Sequence, residues 1–239
     1  MRAMCSNYRP VTTMDRLLTF FGVEREAGDA LEAEIWPLGL APFIRLHEDG
    51  SGNKVIDDGV FGMIAPFAKE LAYGRKTYNA RSETVDQLVT YKQPWAKGQR
   101  CIIPAEAIFE PCYETGSAVR WCIQQPGGVP MGIAGIYRPW RAPDGSSLWT
   151  FSMFTVNADG HPVFRRMHRS TDEKRMVVIL DASEYDSWLT CSVVEARSYF
   201  KQWHGPLDAF SAALPPRQPR AAKPPVPPPA APPPTGDLF

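Results

Sequence analysis

The sequence predicts an α+β fold whose core is a mainly antiparallel, barrel-like sheet with a few peripheral helices. Short runs rich in β-branched and aromatic residues dominate the chain, turn formers such as PGG and APDG separate these runs, and helical signals are few. With 239 residues, 44% of them hydrophobic, the chain can bury a substantial core.

The first helical signal is MDRLLTFFGV, which begins at Met14 after two candidate capping residues, Thr12 and Thr13. The strand-like runs are CIIPAEAIFEP, MGIAGIY, SLWTFSMFTV and RMVVIL. Near the end of this region, DASEYDSWL and VVEARSYFKQW predict one or two short helices. We therefore expect a single domain over residues 1–210.

Residues 211–239 form a proline-rich tail that holds 11 of the chain's 24 prolines. Proline fixes φ and removes a backbone donor, so this composition predicts a disordered segment rich in polyproline II. The tail ends in Asp237-Leu238-Phe239, which resembles the peptides that dock bacterial replication proteins into the sliding clamp. The clamp is therefore a candidate partner, although the usual glutamine of such peptides is absent.

Composition excludes several classes of protein. The 26 basic and 26 acidic side chains balance, so the overall charge does not indicate a nucleic-acid-binding protein. Binding to nucleic acid would instead require a local basic cleft. The five cysteines show no zinc-type spacing, so we expect free thiols, no metal and no cofactor. No secretory signal and no apolar run of about 18 residues is visible, which indicates a cytoplasmic protein without membrane contact.

Four stretches carry residue types suited to chemistry. In YNARSET, alternate residues would point to one face of an extended segment. Each stretch also has a structural explanation: a buried thiol, a surface hydrogen-bond network, a solvated strand end or an exposed loop histidine. The candidate residues are Cys5 behind Met4, then Asn79, Arg81 and Glu83 in YNARSET, Glu110 in IPAEAIFEP, and His168 in RRMHRSTDEKRMVVIL.

Together these stretches resemble the SRAP family, the SOS-response-associated peptidases, whose members handle abasic sites in single-stranded DNA. The shared pattern is MC near the start, NAR-x-ET, a strand ending in a glutamate, and a late histidine before RMVVIL. The segments Ala41-Pro42, FGMIAPF and RCIIPAEAIFEP add to the resemblance, which extends from Cys5 to about Leu189. It implies the SRAP fold, a monomer, and a place at the bacterial nucleoid.

The resemblance also implies a covalent reaction. SRAP proteins expose cysteine as the mature N-terminus, where its amine and thiol condense with the aldehyde of a ring-opened abasic sugar to give a thiazolidine. An α-amine with a pKa of about 7.7–8.0 is partly neutral at cytoplasmic pH, and an adjacent thiol makes ring closure intramolecular. Because an internal Cys5 has no free amine, translation from Met4 or cleavage before Cys5 is required.

The roles carried over are specific. Cys5 is the nucleophile, Asn79 orients the N-terminus or the sugar, Glu110 moves protons, and His168 assists sugar opening or phosphate elimination. Arg81 binds a phosphate of single-stranded DNA beside the abasic nucleotide. Further basic residues expected to contact DNA are Arg9, Arg75, Arg165, Arg166 and Arg169.

The chain departs from the family pattern at three places. The family's early arginine is replaced by Asn7, which Arg9 is a candidate to compensate. Pro111 follows Glu110 where a tryptophan is usual, and RSTDEK separates His168 from the RM of the late motif. His161 is therefore a rival for the catalytic histidine.

Two other functions remain open on the residues alone. Cys5, His168 and Glu110 could form the Cys-His-acid arrangement of an autoproteolytic cysteine peptidase. A non-catalytic module for single-stranded DNA is the second alternative, with stacking aromatics beside a basic groove. The candidate stacking residues are Trp36, Phe43, Phe61 and Phe67, although a place in the core is the more common role for any one of them.

Overall fold

A closed five-stranded barrel forms the centre of the molecule. The computed structural model describes residues 7–26 and 30–214. In chain order the elements are β1 (Asn7–Pro10), α1 (Met14–Phe21), β2 (Leu40–Leu46), β3 (Lys54–Phe61), β4 (Asn79–Arg81), α2 (Lys92–Ala96), β5 (Arg100–Cys112), β6 (Val119–Gln124), β7 (Met131–Arg141), β8 (Ser147–Asn157), β9 (Arg175–Val177), β10 (Ile179–Leu180), α3 (Tyr185–Thr190) and β11 (Asp208–Ser211).

The barrel closes because β5 pairs with both β2 and β7. Around the ring, β7 pairs with β8, β8 with β3, β3 with β2, β2 with β5, and β5 with β7. Most pairings are antiparallel, while β3 and β4 both run parallel to β8. Outside the ring, β1 and β6 flank β5, and β11 extends the sheet beyond β6. The predicted α+β fold with a mainly antiparallel barrel core is confirmed.

Helices α1 and α3 lie where the apolar spacing predicts them, whereas α2 was not predicted and VVEARSYFKQW forms only the 3₁₀ turn Glu195–Tyr199. α1 buries Leu17 and Phe21, and Gly22 ends it with the left-handed φ of 67° that glycine adopts without strain. Thr13 occupies the N-cap position but makes no side-chain capping bond. The DASEYDSWL stretch begins with a capping box between Asp181 and Glu184 and continues into α3.

The core takes up two of the aromatic residues proposed as stacking platforms. Phe43 and Phe61 are fully buried and both pack against Phe151 inside the barrel, so of the two alternatives they belong to the core. Trp36 and Phe67 remain 43% and 60% exposed. Aromatic residues on barrel strands fill the interior because side chains alternate inward and outward along each strand.

A close approach of two glycines positions β4. A Cβ on Gly62, whose φ is 129°, would lie 2.3 Å from the carbonyl oxygen of Gly74. Only glycine at this place in FGMIAPF lets the 3₁₀ turn Leu71–Lys76 pack against the end of β3. The Thr77 hydroxyl then donates to the Met63 carbonyl at 2.6 Å, which fixes the chain just before Asn79.

Some predicted features lie at or beyond the ends of the part of the chain that the structure describes. The sheet continues to Ser211, one residue past the predicted end of the domain. Cys5, the start at Met4 and the clamp-like ending Asp237–Phe239 lie outside the described residues. None of the helices in the part of the chain that the structure describes is long and apolar enough to cross a membrane.

Candidate active site

A buried acid–imidazole pair lies at the end of β5. Glu110 is 1% exposed and His168 is 4% exposed, and the distance from His168 Nε2 to Glu110 Oε2 is 3.0 Å. The ring N–H is not aligned on this oxygen, and within the described residues neither atom has another hydrogen-bond partner. Two buried polar atoms with unused hydrogen-bonding capacity are a common feature of sites that bind substrate.

The backbone of His168 is held against the end of β5. Its amide donates to the Pro111 carbonyl at 2.6 Å, and Cys112 forms β-bridges with Met167 and His168. The φ of His168 is 60°, an uncommon left-handed conformation for a residue other than glycine. Such strain persists only where surrounding contacts impose it, and here it turns the imidazole toward Glu110.

The electrostatics of the pair favour the imidazolium form. Burial by itself lowers the pKa of His168, but the contact with the Glu110 carboxylate and its negative charge more than offset this, so the pKa is raised. The protonated ring is therefore suited to donate a proton.

Lys174 anchors the loop that carries His168. Its ammonium donates to the carbonyls of Met167, His168 and Arg169 at 2.7, 3.1 and 2.8 Å. Three backbone acceptors around one ammonium use its full donor capacity. Sequence reasoning missed this role, because Lys174 lies in the RSTDEK segment that interrupts the late motif.

His161 has a structural position instead. Its Nδ1 accepts from the amides of Val163 and Phe164, at 3.1 and 3.2 Å, and its Nε2 lies 2.8 Å from the Trp203 carbonyl. With both ring nitrogens occupied, the neutral ring caps the turn Phe164–Arg166, and burial lowers its pKa. This geometry favours His168 over His161 as the acid.

A basic cleft of about 1000 Å³ opens beside His168. Three of the predicted DNA-binding arginines line it, whereas Arg75 is exposed on the turn before β4 and does not. The residues that line the cleft are Tyr113, Glu114, Gly116, Arg165, Arg166, His168, Arg169, Ser170, Thr171 and Lys174.

Asn79 and Arg81 lie on β4, which pairs in parallel with β8 opposite Met153 and Thr155. The Tyr91 hydroxyl donates to the Asn79 carbonyl at 3.0 Å and supports the strand. The strand ends at Arg81 and a turn follows, so Glu83 does not share an extended segment with Asn79 and Arg81. The Arg81 guanidinium donates to Glu173 at 2.7 Å and remains partly exposed.

Glu83 meets Arg175 rather than the other residues of its own motif. The buried Arg175 donates to both oxygens of Glu83, at 3.2 and 2.9 Å, to Glu173 at 2.7 Å, and to the Thr155 carbonyl at 2.7 Å. Through Glu173 this network reaches Arg81. The glutamate of NAR-x-ET therefore ties β4 to β9, a role that sequence reasoning missed.

The N-terminal strand runs beside the acid–imidazole pair. Asn7, the first described residue, pairs with Phe109, which directly precedes Glu110. Asn7 is buried and donates to Glu34 at 3.1 Å, a structural contact rather than a free phosphate ligand. Arg9 is exposed, with its guanidinium 5.7 Å from the centre of the Phe109 ring.

No group of three or more His, Cys, Asp or Glu side chains suited to a metal occurs in residues 7–26 and 30–214. Among those residues the cysteines are free thiols, and three of the four, Cys101, Cys112 and Cys122, are buried.

Comparison with known proteins decides the family. The family described as SOS response associated peptidase (SRAP) matches residues 4–212, most of the chain. The chain belongs to the SRAP family. The SRAP match covers the barrel, the acid–imidazole pair and every arginine of the cleft.

Several relatives and solved structures support this membership. Abasic site processing protein YoqW of Bacillus subtilis is 27% identical over 78% of this chain and 80% of its own length. Abasic site processing protein HMCES of Gallus gallus is 28% identical over 63% of this chain. The matched region covers 50% of the length of that protein. A crystal structure from Bordetella bronchiseptica is 37% identical, with a TM-score of 0.81 over 88% of this chain and all of that one.

Proposed function

We propose that this protein processes abasic sites in single-stranded DNA by forming a covalent thiazolidine link through Cys5 as its N-terminal residue. The observation that carries the proposal is the buried Glu110–His168 pair, whose imidazole borders an arginine-lined cleft. The names of the relatives point to the same substrate, since several are called abasic site processing proteins.

The course of the chain supports Cys5 as the nucleophile. Asn7 pairs with Phe109, the neighbour of Glu110, so β1 begins next to the acid–imidazole pair. Cys5 precedes Asn7 by two residues, and chain geometry limits their Cα separation to about 7 Å. A free N-terminus at Cys5 would therefore start close to the two groups best suited to move protons.

The chemistry begins with opening of the abasic sugar. The Glu110 carboxylate takes the proton of the C1′ hydroxyl while the His168 imidazolium protonates the ring oxygen, so the bond from C1′ to the ring oxygen breaks and the aldehyde forms. The neutral α-amine of Cys5 then attacks C1′. The resulting hydroxyl leaves as water with a proton from the acid, giving an imine.

Ring closure follows within the same residue. The Cys5 sulfur adds to the imine carbon and the imine nitrogen takes up a proton, which yields the thiazolidine. Over the whole sequence one water leaves and no oxidant or reductant is consumed. Because amine and thiol belong to one residue, the second step has little entropic cost.

The basic residues serve to hold the strand. Arg165 and Arg169 line the cleft and are exposed, which suits them to phosphate oxygens. Arg81 on β4 contacts a phosphate beside the lesion, and Asn79 on the same strand orients the N-terminus or the sugar. Glu173 holds Arg81 in place and lets it exchange its partner for a phosphate.

A crosslinking assay tests this function. Protein translated from Met4, with loss of that methionine confirmed by mass, is incubated with abasic single-stranded DNA and separated under denaturing conditions. We expect a stable protein–DNA species that Cys5→Ser abolishes, and none from protein that retains Met1–Met4. A non-catalytic module would give only salt-sensitive association, and that result would refute the proposal.

A second candidate is an autoproteolytic cysteine peptidase, favoured by the 3.0 Å His168–Glu110 contact, which fits a Cys-His-acid arrangement. A peptidase needs the thiol of Cys5 but not its α-amine. Removal of residues 1–4 from the full-length chain, dependent on Cys5 and His168, would support it. If such protein is processed and then also crosslinks DNA, the two activities occur in sequence.

A further inference from the structure

Trp121 lies directly across the sheet from Glu110. In the antiparallel pairing of β5 and β6, Glu110 and Trp121 are register partners. Side chains of such partners project from the same face with Cβ atoms about 5 Å apart. Trp121 is only partly buried, in contrast to Glu110. A large aromatic face therefore adjoins the acid–imidazole pair at the site where the abasic sugar is proposed to react.

The face of Trp121 is covered by a side chain that can move. The Arg166 guanidinium carbon lies 4.7 Å from the centre of the Trp121 ring. Arg166 also makes two parallel hydrogen bonds to Glu114, both of 2.8 Å, and both side chains are well exposed. Exposed ion pairs of this kind contribute little to stability, so exchange of the carboxylate for another anion is easy.

A phosphate is the natural replacement for Glu114. Arginine binds carboxylate and phosphate with the same two-point geometry. A strand lying in the cleft would present phosphates to Arg166, and rotation of Arg166 toward them would uncover the ring of Trp121. The group that then meets the ring is the base attached to that same strand.

We propose that Trp121 is the platform on which the unpaired nucleobase next to the abasic sugar stacks, and that the Glu114–Arg166 pair covers this platform in the free protein. The inference rests on the proposed function for the identity of the strand. The inference adds a base-binding subsite to the proposed active site. Aromatic stacking at this subsite would accept any of the four bases. Tyr113, with Arg169 5.4 Å from its ring centre, is a second aromatic residue and lines the cleft itself.

The test uses DNA that cannot react. The full chain is titrated with a single strand carrying a tetrahydrofuran abasic analogue next to 2-aminopurine, and with a strand whose neighbouring nucleotide also lacks its base. Anisotropy gives the two dissociation constants, and 2-aminopurine fluorescence reports stacking. We expect wild type to quench the fluorescence and to bind the base-containing strand about tenfold more tightly.

Variants separate stacking from structure. Trp121→Leu should lose the quenching and bind both strands with the weaker affinity, while Trp121→Phe should keep most of the preference for the base. Glu114→Gln frees Arg166 and should steepen the salt dependence of binding by about one phosphate contact. Asp86→Asn breaks the similar exposed Asp86–Arg197 pair outside the cleft and should change neither property.

Equal affinity of wild type for the two strands, without quenching, would overturn the inference, and so would an equal loss by Trp121→Leu on both strands. This holds even if Trp121→Leu misfolds, since the wild-type comparison needs no variant. If base-dependent binding is found but no crosslink forms on reactive DNA, the subsite stands and the covalent function fails. If a crosslink forms on reactive DNA but binding does not depend on the base, the covalent function stands and only the proposed subsite is refuted.

Discussion

The imidazole of His168 and the carboxylate of Glu110 contact each other at 3.0 Å, both side chains being almost completely buried at the end of β5. The two residues come from distant parts of the chain and are brought together by the β-bridges of Cys112 and by the hydrogen bond that the His168 amide donates to the Pro111 carbonyl. This contact places an imidazole and a carboxylate next to the start of β1.

Replacing the Glu110 carboxylate should remove its effect on the pKa of His168. Glu110→Gln keeps the shape of the side chain but removes its charge, so burial is no longer offset and the pKa of His168 should fall. An NMR titration of the ring measures this. The crosslinking rate should fall by about 100-fold, the lower end of the usual range for acid–base groups. Glu106→Gln, on the same strand but paired with Arg16 at 2.6 Å, is the matched control. An unchanged pKa in Glu110→Gln would contradict the coupling.

The same contact should make stability depend on pH. The pKa of His168 is raised in the folded state above its ordinary value of 6.5. Its contribution to the free energy of unfolding is therefore fully present below pH 6.5 and is lost as pH rises through the raised pKa. Urea unfolding of wild type and His168→Gln between about pH 6 and pH 9 should show a difference that shrinks with rising pH. A difference that stays constant would show that His168 is not coupled in this way.

Loss of the Lys174 ammonium should loosen the loop around His168. Lys174→Met keeps the aliphatic length but leaves the carbonyls of residues 167–169 without their donor, which should cost about 2 kcal/mol in the free energy of unfolding. Crosslinking at saturating DNA should slow by about tenfold. The control is Lys201→Met, whose lysine pairs with Glu184 on the surface and should cost at most about 1 kcal/mol. Equal activity of the two variants would argue against a positioning role for Lys174.

The Arg175 network should be a main source of stability around β4. Arg175 is 2% exposed, and Arg175→Met would leave Glu83 and Glu173 without their buried partner. We expect a loss of about 1–3 kcal/mol in urea unfolding, because the buried Thr155 carbonyl also loses its donor. Arg197→Met, which breaks an exposed pair with Asp86, should lose no more than about 1 kcal/mol. If both variants lose the same free energy of unfolding, the buried Arg175 network contributes no more to stability than an exposed ion pair.

Much of the fold follows from local pattern. The strand-like runs from CIIPAEAIFEP onward correspond to β5 and β7–β10, and MDRLLTFFGV corresponds to α1, because alternation and helical spacing are local properties. RMVVIL nevertheless divides at Val178, since β9 pairs with β8 while β10 pairs with β7. Which neighbour a strand pairs with depends on barrel closure, which a local pattern does not encode.

The candidate site was predictable residue by residue but not as a geometry. Glu110 and His168 stand out through the family pattern, while their contact depends on the fold of the whole barrel. Trp121 gives no signal in VRWCIQ until its register with Glu110 is known. Lys174 and Arg175 look like surface charges in RSTDEKRM. Lys174 instead donates to three carbonyls, and Arg175 is buried and pairs with two partly exposed glutamates.

Mass analysis of the covalent product tests the central proposal most directly. Protein that begins at Cys5 is incubated with abasic single-stranded DNA, and the intact adduct and its N-terminal peptide are measured. We expect a mass equal to protein plus DNA minus one water, with both the amine and the thiol of Cys5 consumed. An adduct at another residue, an equally stable adduct from Cys5→Ser, or no adduct at all would contradict the proposal.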